Sequence, residues 1–349
     1  MRSTGFPLVL ASMVAVVACS SDRALAPKSG QAGELNFPAN MFAAYTRTSL
    51  PGTEMVAALN DNGDVVGATA SGGVLWHGAT HERTSLPIIP TAIANDGTVV
   101  GSVDGHAATW KNGRVTVLDT ATSAALAICR CESATVVGSV QVNGETHAAI
   151  WVDGIRIDAG VPPNGTQAEF TSINTGFVVG NAIVLAWDPR VGYFRDFQHP
   201  YSWSPAGGWH PFFPEGEVGD SRITSVNSHG QGVGSTTQFL INETNGTSFD
   251  VAAGTASIYD GSILPFFNQV SPTGINDSQR VSVTAEALDA SETGVGTVAL
   301  VSGFFQVGGV GPGLVLPPGV VGDVAVGINN ARIIGGQSEG LPVLWVPNP

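Results

Sequence analysis

Between positions 187 and 199 the chain gathers Trp187, Asp188, Arg190, Tyr193, Phe194, Arg195, Asp196, Phe197 and His199. Flat aromatic faces stack on sugar rings or on apolar side chains while charged groups fix orientation, so this stretch predicts a surface for a glycan, a peptide or another envelope protein. The same residues admit a second chemistry. His199 as base, Tyr193 as acid and Arg195 as charge neutraliser would suit polysaccharide cleavage, and Asp188 with Asp196 would make a carboxylate pair. A third reading is structural, with the rings folded onto the element beneath them. Glu215, Glu217, Asp220 and Arg222 follow closely and are expected on the same surface. Asp61-Asn62-Gly63-Asp64 has some character of a calcium loop, but it lacks the remaining spaced carboxylates and reads better as a hairpin turn. No cofactor and no metal is expected.

These side chains need a scaffold, and repetition supplies it. Ala58-Leu59-Asn60-Asp61-Asn62-Gly63-Asp64-Val65-Val66-Gly67, followed by Val74-Leu75-Trp76, returns about seven times, so the chain is an array of one supersecondary unit. Asn, Asp and Gly cluster at the first turn because they tolerate the left-handed backbone of a tight hairpin. Each unit reads as a four-stranded antiparallel meander. The second and third units continue into His106-Ala-Ala-Thr-Trp110 and His147-Ala-Ala-Ile-Trp151, and both histidines read as structural hydrogen-bonding residues at the start of a third strand. In the fifth unit the third strand is expected at residues 256–259, and in the sixth at 298–301. The seventh unit ends at Pro342-Val-Leu-Trp345 without a fourth strand.

A candidate for that strand stands at the other end. Tyr45-Thr-Arg-Thr-Ser-Leu-Pro51 matches His81-Glu-Arg-Thr-Ser-Leu-Pro87, the fourth strand of the first unit. A ring closed by this strand has no exposed sheet edges between its ends. The expected fold is therefore all-β, a seven-bladed β-propeller of four-stranded blades over residues 41–349, with the Ile-Asn strands innermost. Connections between second and third strands lengthen in units four to six, at residues 181–200, 235–255 and 284–296, which places the aromatic cluster on one sector of one face.

Gly at 45 and Pro at 21, with only 12% charged residues, agree with many short strands and tight turns. Fourteen basic against 28 acidic residues argue against nucleic acid, whose phosphates need a basic surface.

Residues 1–18 carry Arg2 and an apolar run too short to span a bilayer, as a secretory signal does. Val16-Val17-Ala18-Cys19 resembles the bacterial lipobox. That resemblance implies cleavage before Cys19, a diacylglycerol on its thiol and attachment to the membrane through lipid alone. Ser20 and Ser21 resemble the sorting signal of outer-membrane lipoproteins. Residues 19–40 read as a flexible tether reaching roughly 25 Å on average. Cys129 and Cys131 either pair, in a short strained ring, or remain free thiols.

The third strands His106-Ala-Ala-Thr-Trp110 and His147-Ala-Ala-Ile-Trp151, each after a tight turn and Val-Val-Gly, resemble the bacterial extracellular HAF repeat, and the resemblance spans about residues 43–347. The resemblance implies an exported β-repeat protein and no reaction. Three roles fit these readings: a non-enzymatic binding or scaffold protein of the envelope, a carbohydrate-active enzyme, or a purely structural assembly component.

Overall fold

The computed structural model describes residues 39–80, 82–129, 135–188, 191–213, 219–237, 244–259, 267–288, 294–304 and 314–349, all within one compact unit, Ala32–Pro349. The lipobox, Cys19, Arg190, Glu215, Glu217 and Cys131 lie outside the described residues. Among the described residues, apart from a 3-10 turn at Ala39–Met41, the regular structure is β throughout.

The strands fall into antiparallel meanders. β1 (Tyr45–Ser49) comes first, then β2 (Met55–Leu59), β3 (Val65–Thr69), β4 (Gly72–Trp76) and β5 (Arg83–Leu86) form one sheet. β6 (Ile89–Ile93), β7 (Val99–Val103), β8 (His106–Lys111) and β9 (Arg114–Val117) form the next. β10 (Ser123–Ile128), β11 (Thr135–Val142), β12 (Glu145–Val152) and β13 (Ile155–Gly160) are joined to β14 (Gly165–Asn174), β15 (Phe177–Asp188), β16 (Tyr193–Ser204) and β17 (Gly208–Pro211) in one eight-stranded sheet, through a single parallel bridge, Thr146 to Gln167. β18 (Ser221–Val226), β19 (Gln231–Thr237), β20 (Thr244–Asp250) and β21 (Thr255–Tyr259) follow, then β22 (Phe267–Ile275), β23 (Arg280–Leu288), β24 (Gly294–Gly303) and β25 (Leu314–Val315). β26 (Val324–Ile328), β27 (Ile334–Ser338) and β28 (Leu341–Pro347) share a sheet with β1, which pairs β28 from Tyr45–Pro347 to Ser49–Val343.

One expectation is corrected here. Residues 256–259 belong to β21, a fourth strand, and the third strand of that unit is β20. Thr244-Asn-Gly-Thr-Ser-Phe-Asp250 was hidden by its composition, since Asn and Gly read as a loop while its burial comes from small polar residues packed between sheets.

The repeat motif is explained by what happens between units. Each first strand carries a one-residue bulge, as at Thr91 between Pro90 and Ala92 or at Leu126 between Ala125 and Ala127. The bulge presses a carbonyl against the partner strand, so a Cβ on Gly101 or Gly138 would overlap the Ile89 or Ala124 oxygen. That is the reason for glycine after Val-Val. Three of the bulged threonines donate their hydroxyl to the first strand of the next unit, Thr91 to Ala125 O at 2.6 Å, Thr171 to Ile223 O at 3.0 Å and Thr224 to Pro272 O at 3.0 Å, whereas Thr273 donates to Ser282 O of its own unit at 3.2 Å.

The asparagine at the end of the first strand works in two directions. Asn60 Oδ1 accepts the Asn62 and Asp64 N–H groups of its own turn, while its Nδ2 donates to Ala94 O of the next unit. The same link runs from Asn227 to Asn276 O, from Asn276 to Asn329 O and from Asn329 to Asn60 O. Asp61 adds to the joint, accepting Asn330 N–H at 2.8 Å and Asn95 Nδ2 at 2.9 Å. Asp64 accepts Asn60 Nδ2 and Gly78 N–H. The carboxylates of the calcium-like loop are thus bound into the turn and its neighbours.

Third-strand tryptophans make a third kind of link. Trp76, Trp151 and Trp345 donate Nε1–H to Thr53 Oγ1, Asp119 Oδ2 and Pro317 O, each in the connection preceding its own unit. The cores lie between neighbouring sheets, as where Val66, Leu75 and Leu86 pack with Ile93, Val99 and Ala108. A cavity of about 110 Å³ is walled by the first strands of six units, with Ala58, Ala92, Ala127, Ser172 and Ser225 at one level.

Candidate functional site

The aromatic cluster lies on a ribbon. β14 keeps pace with β15 only as far as Gly165 opposite Val184, so beyond that point β15 and β16 continue alone as a two-stranded tip. Residues of a strand alternate between faces, and cross-strand partners share one. Leu185, Trp187, Phe194 and Asp196 therefore occupy one face, and Val184, Ala186, Asp188, Tyr193, Arg195 and Phe197 the other. The region expected to be a long loop is regular β-structure, with β15 pairing β16 without a break in register from Val178–Trp203 to Asp188–Tyr193 and burial alternating along β15 from Ile183 onward.

The two faces differ in burial. On the inner face Val184, Ala186, Asp188, Phe197 and His199 are buried. Asp188 meets Arg195 Nη1 at 3.3 Å, and the Arg195 guanidinium also lies 4.7 Å over the Phe197 ring. On the outer face and at the tip, Leu185, Trp187, Val191, Tyr193 and Phe194 stand in solvent, with Tyr193 and Phe194 58% and 61% exposed. Trp187 and Phe194 pack edge to face, their ring centres 5.5 Å apart.

The base of the ribbon is fixed to the next unit. Asn181, buried opposite Glu169, donates Nδ2 to Ile223 O at 3.1 Å and accepts Ile223 N–H at 2.9 Å. Burial pushes the Glu169 carboxyl up from its ordinary value. Asp220 accepts the Gln198 N–H at 3.0 Å, so this acid anchors the ribbon, and Arg222 donates Nε to Ser235 Oγ. Asn181 was missed from sequence. Its signal was an amide inside an otherwise apolar strand.

This arrangement separates the nine candidate residues. Trp187 and Phe194 on one face, with Tyr193 exposed at the tip on the other, form an accessible aromatic ridge, while Asp188, Phe197 and His199 are buried on the inner face. Asp188 and Asp196 point to opposite faces, which corrects their reading as a carboxylate pair. Tyr193 and His199 are six residues apart on one strand, about 20 Å at the usual rise, too far to act on one bond. The repeat histidines take structural roles, His106 Nδ1 against Ala121 O at 2.9 Å and His147 Nδ1 against Asp158 Oδ1 at 3.0 Å. Cys129 is buried and disulfide-bonded. Among the described residues no group of three or more His, Cys, Asp and Glu could hold a metal, and no helix is long and apolar enough to cross a membrane.

No family model matches the sequence, and no curated protein matches it. Solved structures do. A chain of a mitotic checkpoint complex aligns with a TM-score of 0.53 at 10% identity, covering 91% of this chain and 98% of its own. The β-propeller domain of the Trilobed protease from Pyrococcus furiosus, described as having an open velcro topology, aligns with a TM-score of 0.52 at 11% identity over 84% of this chain and 94% of its own. With its sheets of four antiparallel strands, the chain has the β-propeller fold.

Proposed function

We propose that this chain is a lipid-anchored, exported protein of the HAF-repeat kind, a seven-bladed propeller closed by β1, which acts as a non-enzymatic binding or scaffold protein at the outer membrane. The aromatic ridge of the β15–β16 ribbon carries this reading. It stands on a two-stranded tip beyond the last β14 pairing, where Leu185, Trp187, Tyr193 and Phe194 are exposed rather than enclosed as the lining of a sugar or small-substrate pocket would be. A partner protein with an apolar groove would cover it, in the way exposed apolar patches are usually covered. Seven groups of four strands, the β1–β28 pairing and the Asn329–Asn60 link support the closed ring.

Site-specific photocrosslinking in cells tests the reading. A crosslinker at Phe194 should give one discrete adduct with an envelope protein, lost in a Trp187→Ser, Tyr193→Ser variant, whereas one at Ile155, exposed on β13, should give none. Protection by oligosaccharides of the Trp187 fluorescence from quenching, with no protein adduct, would put a glycan in the partner's place. Cys19→Ser should move the protein from the membrane to the soluble fraction; retention there would sink the lipid anchor.

A further inference from the structure

Each residue of an antiparallel strand sends its N–H and C=O to one edge, and the next residue sends them to the other. On β16 the Gln198 N–H leaves on the side away from β15, to Asp220 Oδ1 at 3.0 Å, and Pro200 O accepts the Phe212 N–H at 3.4 Å on that same side. Asp196 and Phe194, two and four residues from Gln198, therefore point their main-chain groups the same way. β15 agrees, since Leu185, the cross-strand partner of Asp196, sends its N–H away from β16 to Asn164 O at 3.3 Å. β17 pairs β16 only from Tyr201 to Ser204. Among the described residues nothing bonds the N–H and C=O groups of Phe194 and Asp196, so four main-chain groups stand on an open sheet edge. Such edges are usually covered. Unit six shows the covered form: where β24 outruns its short pairing with β25, Ala299 O accepts the Leu316 N–H and Thr297 O accepts the Gly322 N–H.

We propose that this edge of β16 receives a strand: an extended segment of a partner protein pairs antiparallel with residues 194–196, carrying a basic residue opposite Asp196 and an apolar one opposite Phe194.

The inference rests on the ridge as the partner surface and says how the partner engages it. Phe194 and Asp196 would each exchange two hydrogen bonds with the residue opposite. Cross-strand partners share a face, so the apolar side chain would lie beside Phe194, on the side where Trp187 packs against that ring. The basic one would meet Asp196, which is exposed and has no ion pair among the described residues. Read from its N-terminus, the incoming segment is basic, any residue, apolar. Asp220 marks where pairing stops, because it already takes the Gln198 N–H. A second copy of this chain fits poorly. The two-fold pairing that bonds Phe194 of one copy to Asp196 of the other would set the two Arg195 side chains against each other.

Residue-resolved hydrogen exchange on the mature protein in detergent tests this with the peptide acetyl-Thr-Thr-Lys-Thr-Leu-Thr-Thr-amide. At saturation the Phe194 and Asp196 amides should exchange at least about tenfold more slowly, while the amides of β7 keep their rates. Methylating the Lys and Leu amides of the peptide, which face β16, should abolish the effect, and methylating the central Thr amide, which faces away, should preserve it. Unchanged exchange at the highest soluble peptide concentration, or equal effects of the two methylated peptides, would overturn the added strand. In cells, the adduct formed from a crosslinker at Phe194 should fall about tenfold in Asp196→Pro relative to Asp196→Ala, since both lose the charge and only proline loses the outward N–H. Equal adducts in the two variants, or an adduct between two copies of this chain, would overturn the added strand and leave the ridge as a contact surface. Absence of any adduct at Phe194 would instead remove the ridge as the partner surface, and the strand with it. The peptide measurements decide the matter where Asp196→Pro does not fold.

Discussion

Asn329 donates its side-chain amide to the main-chain carbonyl of Asn60 across 2.8 Å, although 269 positions separate the two in sequence. Its Oδ1 meanwhile accepts the Ile333 N–H of its own turn. One side chain therefore both caps a hairpin and ties the last repeat to the first.

Removing both roles should be measurable. Asn329→Ala should lower stability by about 2 kcal/mol, since it leaves buried main-chain groups without partners. Asn329→Asp keeps the acceptor for the turn but loses the donor. A denaturant midpoint unchanged in the alanine variant would mean that the link carries no free energy.

The bulge beneath Val-Val-Gly makes a sharper prediction. Gly138→Ala sets a methyl against the Ala124 carbonyl, which main-chain hydrogen bonding holds in place, and should cost about 3 kcal/mol or more. Gly303→Ala, with no atom near its Cβ, should stay within about 0.5 kcal/mol. Equal thermal midpoints for the two variants would contradict the bulge as the reason for the motif.

Buried and exposed members of the ribbon should part company in stability. Phe197→Ala should cost about 3 kcal/mol, because the ring is buried beneath Arg195. Trp187→Ser should shift the thermal midpoint little, because about half of the side chain already meets water. A large loss at Trp187 would show the ridge to be part of the core.

Acid should act through Asp277. Burial opposes its carboxylate, but hydrogen bonds from Ser228 and Asn330 outweigh that and hold its pKa below the ordinary value. A depressed folded value gives stability that is present above about pH 3.9 and is lost as pH falls through the folded pKa. Asp277→Asn should flatten the acid limb of the stability curve. An acid limb identical to that of the natural protein would remove Asp277 from the account.

All-β structure and sheets of four strands were legible because turn residues recur at fixed offsets and apolar residues alternate between them. Composition misled at β20, where Thr, Asn, Gly and Ser form a buried third strand, and at the ribbon, where charges inside a strand resembled a loop. The division of the candidate site was beyond sequence, since Asp188 and Asp196 differ only in strand parity and that depends on register. Asn60 was read as a turn former. Half its work lies in a neighbouring unit, and no local window contains the carbonyl it reaches.

In each asparagine joint the donor is a particular side chain and the acceptor is main chain, which every residue possesses. Ala94 receives Asn60 as well as Asn329 receives Asn276. A duplicated unit can therefore lose its own asparagine and still be held by the neighbour before it. Descent by duplication needs only one partner of each joint to keep its identity, and the other is free to drift.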